Sequence, residues 1–310
     1  WENESTFLWF NSHRLIVVVI SLILMVADSY YIVCALFSIA GLIGQWLLYR
    51  TFSGLCPPLA LLILFFPSIN LWTGGILKES IAIIPEAFLL SALTEFAIAR
   101  SKITIKWLLT ISICIFLLLI LRPFAAISMI VFLISFFLTW KKNSKKFVGL
   151  MLCGYVVVGM GISFLFFDNI REAREVFVRH SIIERSGSLY STRIFNSYDE
   201  FLMFIPVAIF NGIFRPCELT LDNPVRLFST IENLGFLLLI TVLVLKGVYR
   251  KVLSINALIF PCVMALLCYA CIIGILISVE GALARFKLFF WILAIYLVCI
   301  IEYGNKSKLA

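Results

Sequence analysis

Two adjacent glycines and a Lys-Glu pair give residues 68–80 the chemistry of an anion site. The stretch "SINLWTGGILKES" lies between two apolar runs, where a simple connector would need none of these residues. The glycines permit a tight turn, and we predict that a helix begins near Leu77. Its first turn would offer backbone N–H groups and the positive end of the helix dipole to an anion, with the charge of Lys78 added. The alternative is an interfacial turn in which Trp72 anchors at the headgroups and Glu79 favours the helix start.

Glu86 adds a carboxylate two turns further along the same predicted helix, directly after Pro85. At about 1.5 Å per residue, it would lie roughly 10 Å below the helix start. An ionised carboxylate inside an apolar segment is energetically costly, so an acid at that depth indicates a functional site. The alternative is a neutral Glu86 that is hydrogen-bonded to a neighbouring helix near the kink at Pro85.

Two Arg-Pro pairs stand at the ends of apolar segments. Arg122 in "LRPF" lies in a tight turn between two long apolar runs, and Arg215 precedes Pro216 at the end of the apolar piece 201–214. The planar guanidinium binds phosphate or carboxylate through two parallel hydrogen bonds, whereas Lys acts as a point charge. Arg122 and Arg215 are therefore predicted to bind an anion. The alternative is that both side chains anchor at lipid headgroups.

The densest polar constellation is residues 213–235, "IFRPCELTLDNPVRLFSTIENLG". Its Asp-Asn-Pro sequence is typical of a turn that leads into a helix with Pro224 near the first position. An ordinary salt-bridged loop would also contain such residues, but the neighbouring apolar piece 201–214 favours a site. The candidate residues are Arg215, Glu218, Asp222, Arg226, Glu232 and Asn233.

The stretch "SVEGALARFKLFFW", residues 278–291, leads into the last apolar run with two cations. In a helix, Gly281 and Arg285 share one face, which opens a small gap beside the guanidinium. Lys287 follows half a turn later. We predict a further contribution to anion binding here, with headgroup anchoring as the alternative.

The elements that must position these residues are predicted by composition. The chain of 310 residues is 63% hydrophobic and 14% charged, with a mean hydropathy of +1.09. A soluble domain has about 25% charged residues, so we predict an all-α, polytopic integral membrane protein. We expect residues 1–310 to form one transmembrane domain, and, because the chain starts with Trp, we expect its natural N-terminus to be missing. Segments near the length of a span number about ten: 13–27, 30–49, 56–67, 79–97, 105–121, 124–140, 147–167, 230–247, 255–278 and 286–303.

Orientation follows from the basic connectors. The densest, "KKNSKK" at 141–146, should be cytoplasmic. Alternation from that loop places residues 168–229 outside as a large loop, in which 201–214 is too short to span and is predicted to be re-entrant or interfacial. Most Arg residues then lie outside, whereas Lys78 and Lys287 are the only Lys there. An Arg-rich outer face predicts an anionic ligand.

Several chemistries lack their motifs. The sequence contains no GxSxG, HExxH, phosphate-binding loop or GxGxxG in a strand context. With two His in the chain, we expect no metal site built from several His. The nine Cys fall mostly in apolar runs and are interpreted as small buried hydrophobic residues. The net charge of +8 is interpreted through membrane orientation, which the placement of Lys and Arg determines, and not as a sign of nucleic-acid binding.

Three segments resemble membrane proteins of bacterial polysaccharide gene clusters. "FFPSINLWTGGILKESIAI" resembles a segment in which Pro-Ser, an aromatic residue, a Gly turn and Lys-Glu or Lys-Asp recur. "IPVAIFNGIFRPCELTLDNPVRLFSTIENL" is similar to their Arg-Pro, Asn-Pro and Glu-Asn segment, and "GALARFKL" to an element of their last loop. Over about residues 60–300, the chain resembles Wzy-type glycan polymerases and the GT-C superfamily of glycosyltransferases.

The resemblance implies a glycosyltransferase or glycan polymerase at the outer face of a bacterial cytoplasmic (inner) membrane. Its partners would be a polyprenyl phosphate- or pyrophosphate-linked saccharide donor, a glycan acceptor and the lipid bilayer, without nucleic acid. Cations would stabilise the leaving phosphate, and a carboxylate would activate the acceptor hydroxyl or bind a divalent metal, the one cofactor left open. The predicted substrate-binding residues are Lys78, Arg122, Arg215, Arg226, Arg285 and Lys287. The predicted catalytic residues are Glu79, Glu218, Asp222 and Glu232.

Two other functions stay open from the sequence. A lipid-linked glycan flippase, or another secondary transporter, would have internal repeats and polar groups at the membrane midplane, where Glu86 is the one candidate. A non-catalytic assembly subunit would leave the outer Arg residues unexplained.

Overall fold

A computed structural model describes residues 8–99, 104–141, 145–183, 190, 193–217, 224–249 and 258–307. Over these ranges the backbone forms thirteen helices and no strand, which confirms the all-α prediction. By internal packing, the chain divides into two compact units. Unit 1 extends to Ile130 and resumes at Ile295, and unit 2 comprises Val131–Ala294. Each is described separately below.

The first seven helices begin in unit 1. The last of them continues past Ile130 into unit 2. They are α1 (Leu8–Ala27), α2 (Tyr30–Ser53), α3 (Pro57–Phe65), α4 (Pro67–Thr73), α5 (Lys78–Ala99), α6 (Ile105–Leu121) and α7 (Pro123–Lys141).

The other six helices begin in unit 2. The last of them returns to unit 1 at Ile295. They are α8 (Lys145–Leu165), α9 (Phe167–Ile183), α10 (Tyr198–Phe214), α11 (Pro224–Tyr249), α12 (Ile259–Leu276) and α13 (Glu280–Ser307).

Six helices within the described residues are long and apolar enough to cross a membrane, as expected of a polytopic membrane protein. Three further apolar helices are shorter: Ile16–Ala27, Ile105–Leu121 and Leu227–Leu243. Six long helices do not confirm the ten spans predicted from the sequence. The six helices long enough to cross a membrane are Tyr30–Ser53, Lys78–Ile98, Pro123–Trp140, Phe147–Leu165, Ile259–Leu276 and Glu280–Gly304.

The segment predicted as a span at 56–67 is interrupted. Helix α3 ends at Phe65, and α4 starts anew at Pro67. Phe66 between them is extended, with φ −72° and ψ 117°. The reason is local, because a proline ring sterically disfavours the helical conformation of the residue before it.

Close helix packing fixes the start of α5 in unit 1. A Cβ added to Gly41 of α2 would overlap the backbone carbonyl of Thr73, and one added to Gly44 would overlap Ile83. Gln45 donates to the Thr73 hydroxyl at 2.6 Å. These contacts hold the turn between α4 and α5 against α2.

A similar approach joins α10 and α12 in unit 2. A Cβ on Gly212 would overlap the carbonyl of Ala270, and one on Gly274 would overlap that of Ala208. Since the later residue of each helix meets the earlier residue of the other, the two helices are antiparallel. Their glycines allow backbone-to-backbone contact that a larger residue would prevent.

Candidate functional site

The turn before α5 forms as its sequence predicts. The predicted helix starts at Lys78, directly after the Gly-containing turn at 74–77. The Ser80 hydroxyl donates to the carbonyl of Gly75 at 2.6 Å, so the turn and the first helical residues hold each other. Lys78 and Glu79 are both buried. A headgroup anchor would be exposed, and therefore this burial argues against a purely interfacial turn.

Glu79 and Arg122 form a buried ion pair. Arg122 lies alone between α6 and α7, and one amino group of its guanidinium contacts the Glu79 carboxylate. The side chains are 5% and 0% exposed. The backbone N–H of Arg122 donates to the carbonyl of Leu118 at 2.6 Å, which closes the last turn of α6. In a buried pair of this kind the two charges compensate each other, and either charge alone would be strongly disfavoured.

Glu86 lies below this pair on α5 and is 4% exposed. Its Oε1 has no hydrogen-bond partner among the residues that the structure describes. Unit 1 therefore holds two buried carboxyl groups on α5, of which Glu79 contacts Arg122.

Unit 2 contains a second pair, between Arg215 and Glu280. Arg215 follows the last residue of α10, and its Nη1 donates to Oε1 of Glu280 at 3.2 Å. Its Nε donates to Oδ1 of Asn211 at 3.2 Å, one turn earlier in α10. Glu280 is buried at the start of α13, where a negative charge also suits the helix dipole.

Tyr190 packs against this pair. Its ring lies 4.6 Å below the Arg215 guanidinium, within cation–π range. Its hydroxyl donates to the carbonyl of Ile277 at 2.5 Å, and its N–H donates to Ser278 at 3.0 Å. Burial raises the pKa of Tyr190 to about 12, although Arg174 and Arg215 oppose the rise. The phenol therefore stays neutral at physiological pH.

Lys287 is a buried cation, 1% exposed, in the second turn of α13. Its ammonium donates to the carbonyl of Ile213 at 2.6 Å and to Oδ1 of Asn233 at 2.8 Å. Asn233 in turn donates to the carbonyls of Phe214 at 2.7 Å and Pro216 at 3.0 Å. Lys287 and Asn233 thus bind the carbonyl end of α10, where a positive charge complements the helix dipole.

Arg174 does the same at the end of α12. It is fully buried, and its Nη1 donates to the carbonyls of Ile275 at 2.9 Å and Ile277 at 3.2 Å. Its Nε donates to the carbonyl of Arg193 at 3.2 Å. Burial lowers the pKa of Arg174 below its ordinary value. This arginine ties α9 to the end of α12.

The predicted site residues fall into two groups. In unit 1, Lys78 and Glu79 adjoin in sequence and Arg122 meets Glu79; in unit 2, Arg215 and Lys287 both lie at the end of α10. Arg285 on α13 and Glu232 on α11 are half-buried. Three predicted residues have no described side chain: Glu218 and Asp222 lie outside the described residues, and Arg226 is described only as part of α11.

Sequence reasoning did not select Arg174, Tyr190 or Glu280 as site residues. Glu280 had a local signal, because it is an acid at a helix start directly after "ISV". Arg174 and Tyr190 had none, since their partners are backbone carbonyls around residue 277, about ninety to a hundred positions away.

The described residues contain no group of three or more His, Cys, Asp or Glu that could hold a metal ion. Two of the predicted acids, Glu218 and Asp222, lie outside the described residues. Chemically, the described arrangement offers two cation–carboxylate pairs, Glu79–Arg122 and Arg215–Glu280. Glu86 is a separate buried carboxyl group whose Oε1 has no hydrogen-bond partner among the described residues.

Comparison with known proteins adds no relative. No protein-family model matches the chain, and neither a curated protein nor a solved structure matches it.

Proposed function

We propose that this chain is a membrane-embedded glycosyltransferase or glycan polymerase. It would use a saccharide linked to polyprenyl phosphate or pyrophosphate, at the outer face of the bacterial inner membrane, in surface polysaccharide synthesis. The proposal includes the orientation and the ten spans predicted from the sequence. Its main support is the buried Glu79–Arg122 pair between helix ends of a multi-pass membrane protein.

The pair suits this chemistry because a phosphate can compete for Arg122. A donor phosphate that binds the guanidinium displaces the Glu79 carboxylate, and the freed carboxylate becomes a stronger base. The acceptor hydroxyl then attacks the anomeric carbon and gives its proton to Glu79. The bond from that carbon to the phosphate oxygen breaks, and its electron pair leaves with the phosphate, which Arg122 stabilises.

The remaining cations and acids keep the roles given by the resemblance. Arg215, Arg226, Arg285 and Lys287 in unit 2, and Lys78 in unit 1, keep the phosphate-binding role that the resemblance implies. Glu218, Asp222 and Glu232 are the other acids proposed for acceptor activation or for a divalent metal. Arg215 supports such a role because it is partly exposed, at 20%, while its partner Glu280 is buried.

One observation favours the second candidate, a lipid-linked glycan flippase or another secondary transporter. Glu86 is buried within a helix long enough to span, and its Oε1 has no partner among the described residues. Intramembrane acids of this kind often carry protons in transporters.

A deletion experiment separates the candidates. The gene is deleted in its host, and the strain is complemented with the wild type, Arg122→Ala or Arg215→Ala. Arg179→Ala serves as the matched control, because Arg179 is exposed and paired with Glu175 on α9. A polymerase leaves short, single-repeat glycans in the deletion strain, and a flippase leaves lipid-linked precursors on the cytoplasmic side. Normal glycan with both Arg variants would contradict the phosphate-binding role.

A further inference from the structure

The backbone on both sides of Arg215 is held by one side-chain amide. Asn233 of α11 is 2% exposed, and its Nδ2 donates to the carbonyl of Phe214 at 2.7 Å and to that of Pro216 at 3.0 Å. These two residues are the chain neighbours of Arg215. The nitrogen of an amide side chain carries two N–H donors, so Asn233 uses both of them on the two carbonyls that flank Arg215.

The amide of Asn233 is itself held in one orientation. Its Oδ1 accepts from the ammonium of Lys287 at 2.8 Å, and that ammonium also donates to the carbonyl of Ile213 at 2.6 Å. An ammonium can only donate, and a carbonyl can only accept. A flipped amide would therefore place donor against donor and acceptor against acceptor, and the observed orientation of Asn233 is the one that satisfies every bond.

The side chain of Arg215 is held by three further groups. Its Nε donates to Oδ1 of Asn211 and its Nη1 to Oε1 of Glu280, both at 3.2 Å. The centre of the Tyr190 ring lies 4.6 Å from the guanidinium carbon. A guanidinium is flat and rigid, so two hydrogen bonds along its edge and a ring against its face determine its plane.

The ring of Tyr190 is fixed by contacts other than Arg215. Its hydroxyl donates to the carbonyl of Ile277 at 2.5 Å, and its backbone N–H donates to the carbonyl of Ser278 at 3.0 Å. The carbonyl of Ile277 also accepts from Nη1 of Arg174 at 3.2 Å, so it keeps a donor when the Tyr190 hydroxyl is removed. Tyr190→Phe keeps the ring and Tyr190→Leu does not, and therefore these two variants separate the ring from the hydroxyl.

We propose that Asn233 and Tyr190 are positioning residues for a phosphate-binding Arg215. Asn233 fixes the backbone that carries Arg215, and Tyr190 fixes the plane of the guanidinium, whose side chain is 20% exposed. Neither residue binds the phosphate itself. A guanidinium that is already held in place loses less conformational freedom on binding, which raises its affinity for the anion. The assignment rests on the phosphate-binding role that the proposed function gives Arg215.

Binding of inorganic pyrophosphate to the full chain in lipid nanodiscs tests the proposal without any turnover. The dissociation constant is measured by calorimetry for the wild type, Arg215→Ala, Asn233→Ala and Tyr190→Leu. We expect it to rise about tenfold in each variant, as loss of one charge-assisted hydrogen bond would cause. Tyr190→Phe should restore most of the affinity that Tyr190→Leu loses. Asn169→Ala is the matched control, because Asn169 is an exposed Asn on α9, and it should bind as the wild type does.

Combination with Arg215→Ala separates positioning from a general structural role. A positioning residue acts only through Arg215, so Asn233→Ala and Tyr190→Leu should not raise the dissociation constant further in Arg215→Ala. A residue that binds the anion itself, or whose loss disturbs unit 2 as a whole, would raise it again. If Asn233→Ala does not fold, Asn233→Leu replaces it, because Leu fills the space better and also lacks the two donors.

Three results would overturn the proposal. The first is pyrophosphate binding that is absent in the wild type or unaltered in Arg215→Ala. The second is wild-type affinity in Asn233→Ala or in Tyr190→Leu. The third is a further loss when either change is added to Arg215→Ala. Release of lipid pyrophosphate from a saccharide donor is measured separately. Its absence, with the three expected binding results intact, would contradict the proposed glycosyl transfer and leave the positioning of Arg215 standing.

Discussion

Replacement of both Glu79 and Arg122 by Gln should destabilise the protein by less than the sum of the two single replacements. Each single change leaves one charge buried without its opposite in a pair whose side chains are 0% and 5% exposed. Loss of one partner of a buried pair costs about 3–5 kcal/mol, whereas loss of both removes the uncompensated charge. We therefore expect a coupling energy of roughly 1–3 kcal/mol between the two positions.

The assay is equilibrium unfolding in mixed micelles, with the fraction of denaturing detergent as the variable. Glu95→Gln is the control, because Glu95 lies exposed on the same helix and accepts a hydrogen bond from Ser91 at 3.3 Å. It should change the free energy of unfolding by no more than about 0.5 kcal/mol. If the two single variants behave like Glu95→Gln, or if their effects are additive, the pair does not stabilise α5 against the α6–α7 junction as described.

Three further predictions concern unit 2. Gly274→Ala should lower the free energy of unfolding by about 1–3 kcal/mol in the same assay, because the added Cβ would overlap a carbonyl of α10. Gly154→Ala is the control: a Cβ at Gly154 would meet open space, so this change should be neutral or stabilising by up to about 1 kcal/mol. Arg174→Ala should release the end of α12, measured as faster amide hydrogen exchange at residues 275–277, and unchanged exchange there would contradict its capping role. Tyr190 should ionise near pH 12 in an absorbance titration, measured as the difference between the wild type and Tyr190→Phe. Since the pKa of Tyr190 rises from 10.0 to about 12 on folding, the contribution of its neutral phenol to stability is complete below pH 10.0 and is lost as pH approaches 12. A Tyr190 phenol that ionises near pH 10.0 would contradict its burial.

Local features of the fold could be predicted because residues within one turn determine them. The start of α5 at Lys78 follows from the two glycines and the apolar run, and Pro224 begins α11 as a first-position proline should. Arg122 lies between α6 and α7, as "LRPF" indicates. The charge spacing of residues 168–180 is typical of a helix, and α9 covers that stretch.

The pairings could not be predicted in the same way. Glu79 and Arg122 are 43 positions apart, and their contact depends on how α5 packs against the α6–α7 junction. Both had been selected, but as an acid and a phosphate ligand rather than as partners. No residue near either one in sequence specifies which opposite charge it will meet.

The buried cations of unit 2 show a second limit. Lys287 was selected for phosphate, and in the structure its ammonium binds the carbonyl end of α10. Arg174 was grouped with the outer Arg residues, and it binds the end of α12. The C-terminal end of a helix attracts a cation through the aligned carbonyls of its backbone. Because these partners are backbone atoms, the pattern of side chains in the sequence does not indicate them. The phosphate role of Lys287 stays a prediction.

The most direct test of the proposed function uses the purified chain in nanodiscs with a polyprenyl pyrophosphate-linked saccharide. The measurement is the release of polyprenyl pyrophosphate together with the length of the glycan product. We predict extended glycan and released lipid pyrophosphate with the wild type, a loss of about a hundredfold with Arg122→Ala, and no loss with Arg179→Ala. Movement of the intact lipid-linked saccharide between leaflets without any release, or equal release by Arg122→Ala and wild type, would contradict the account.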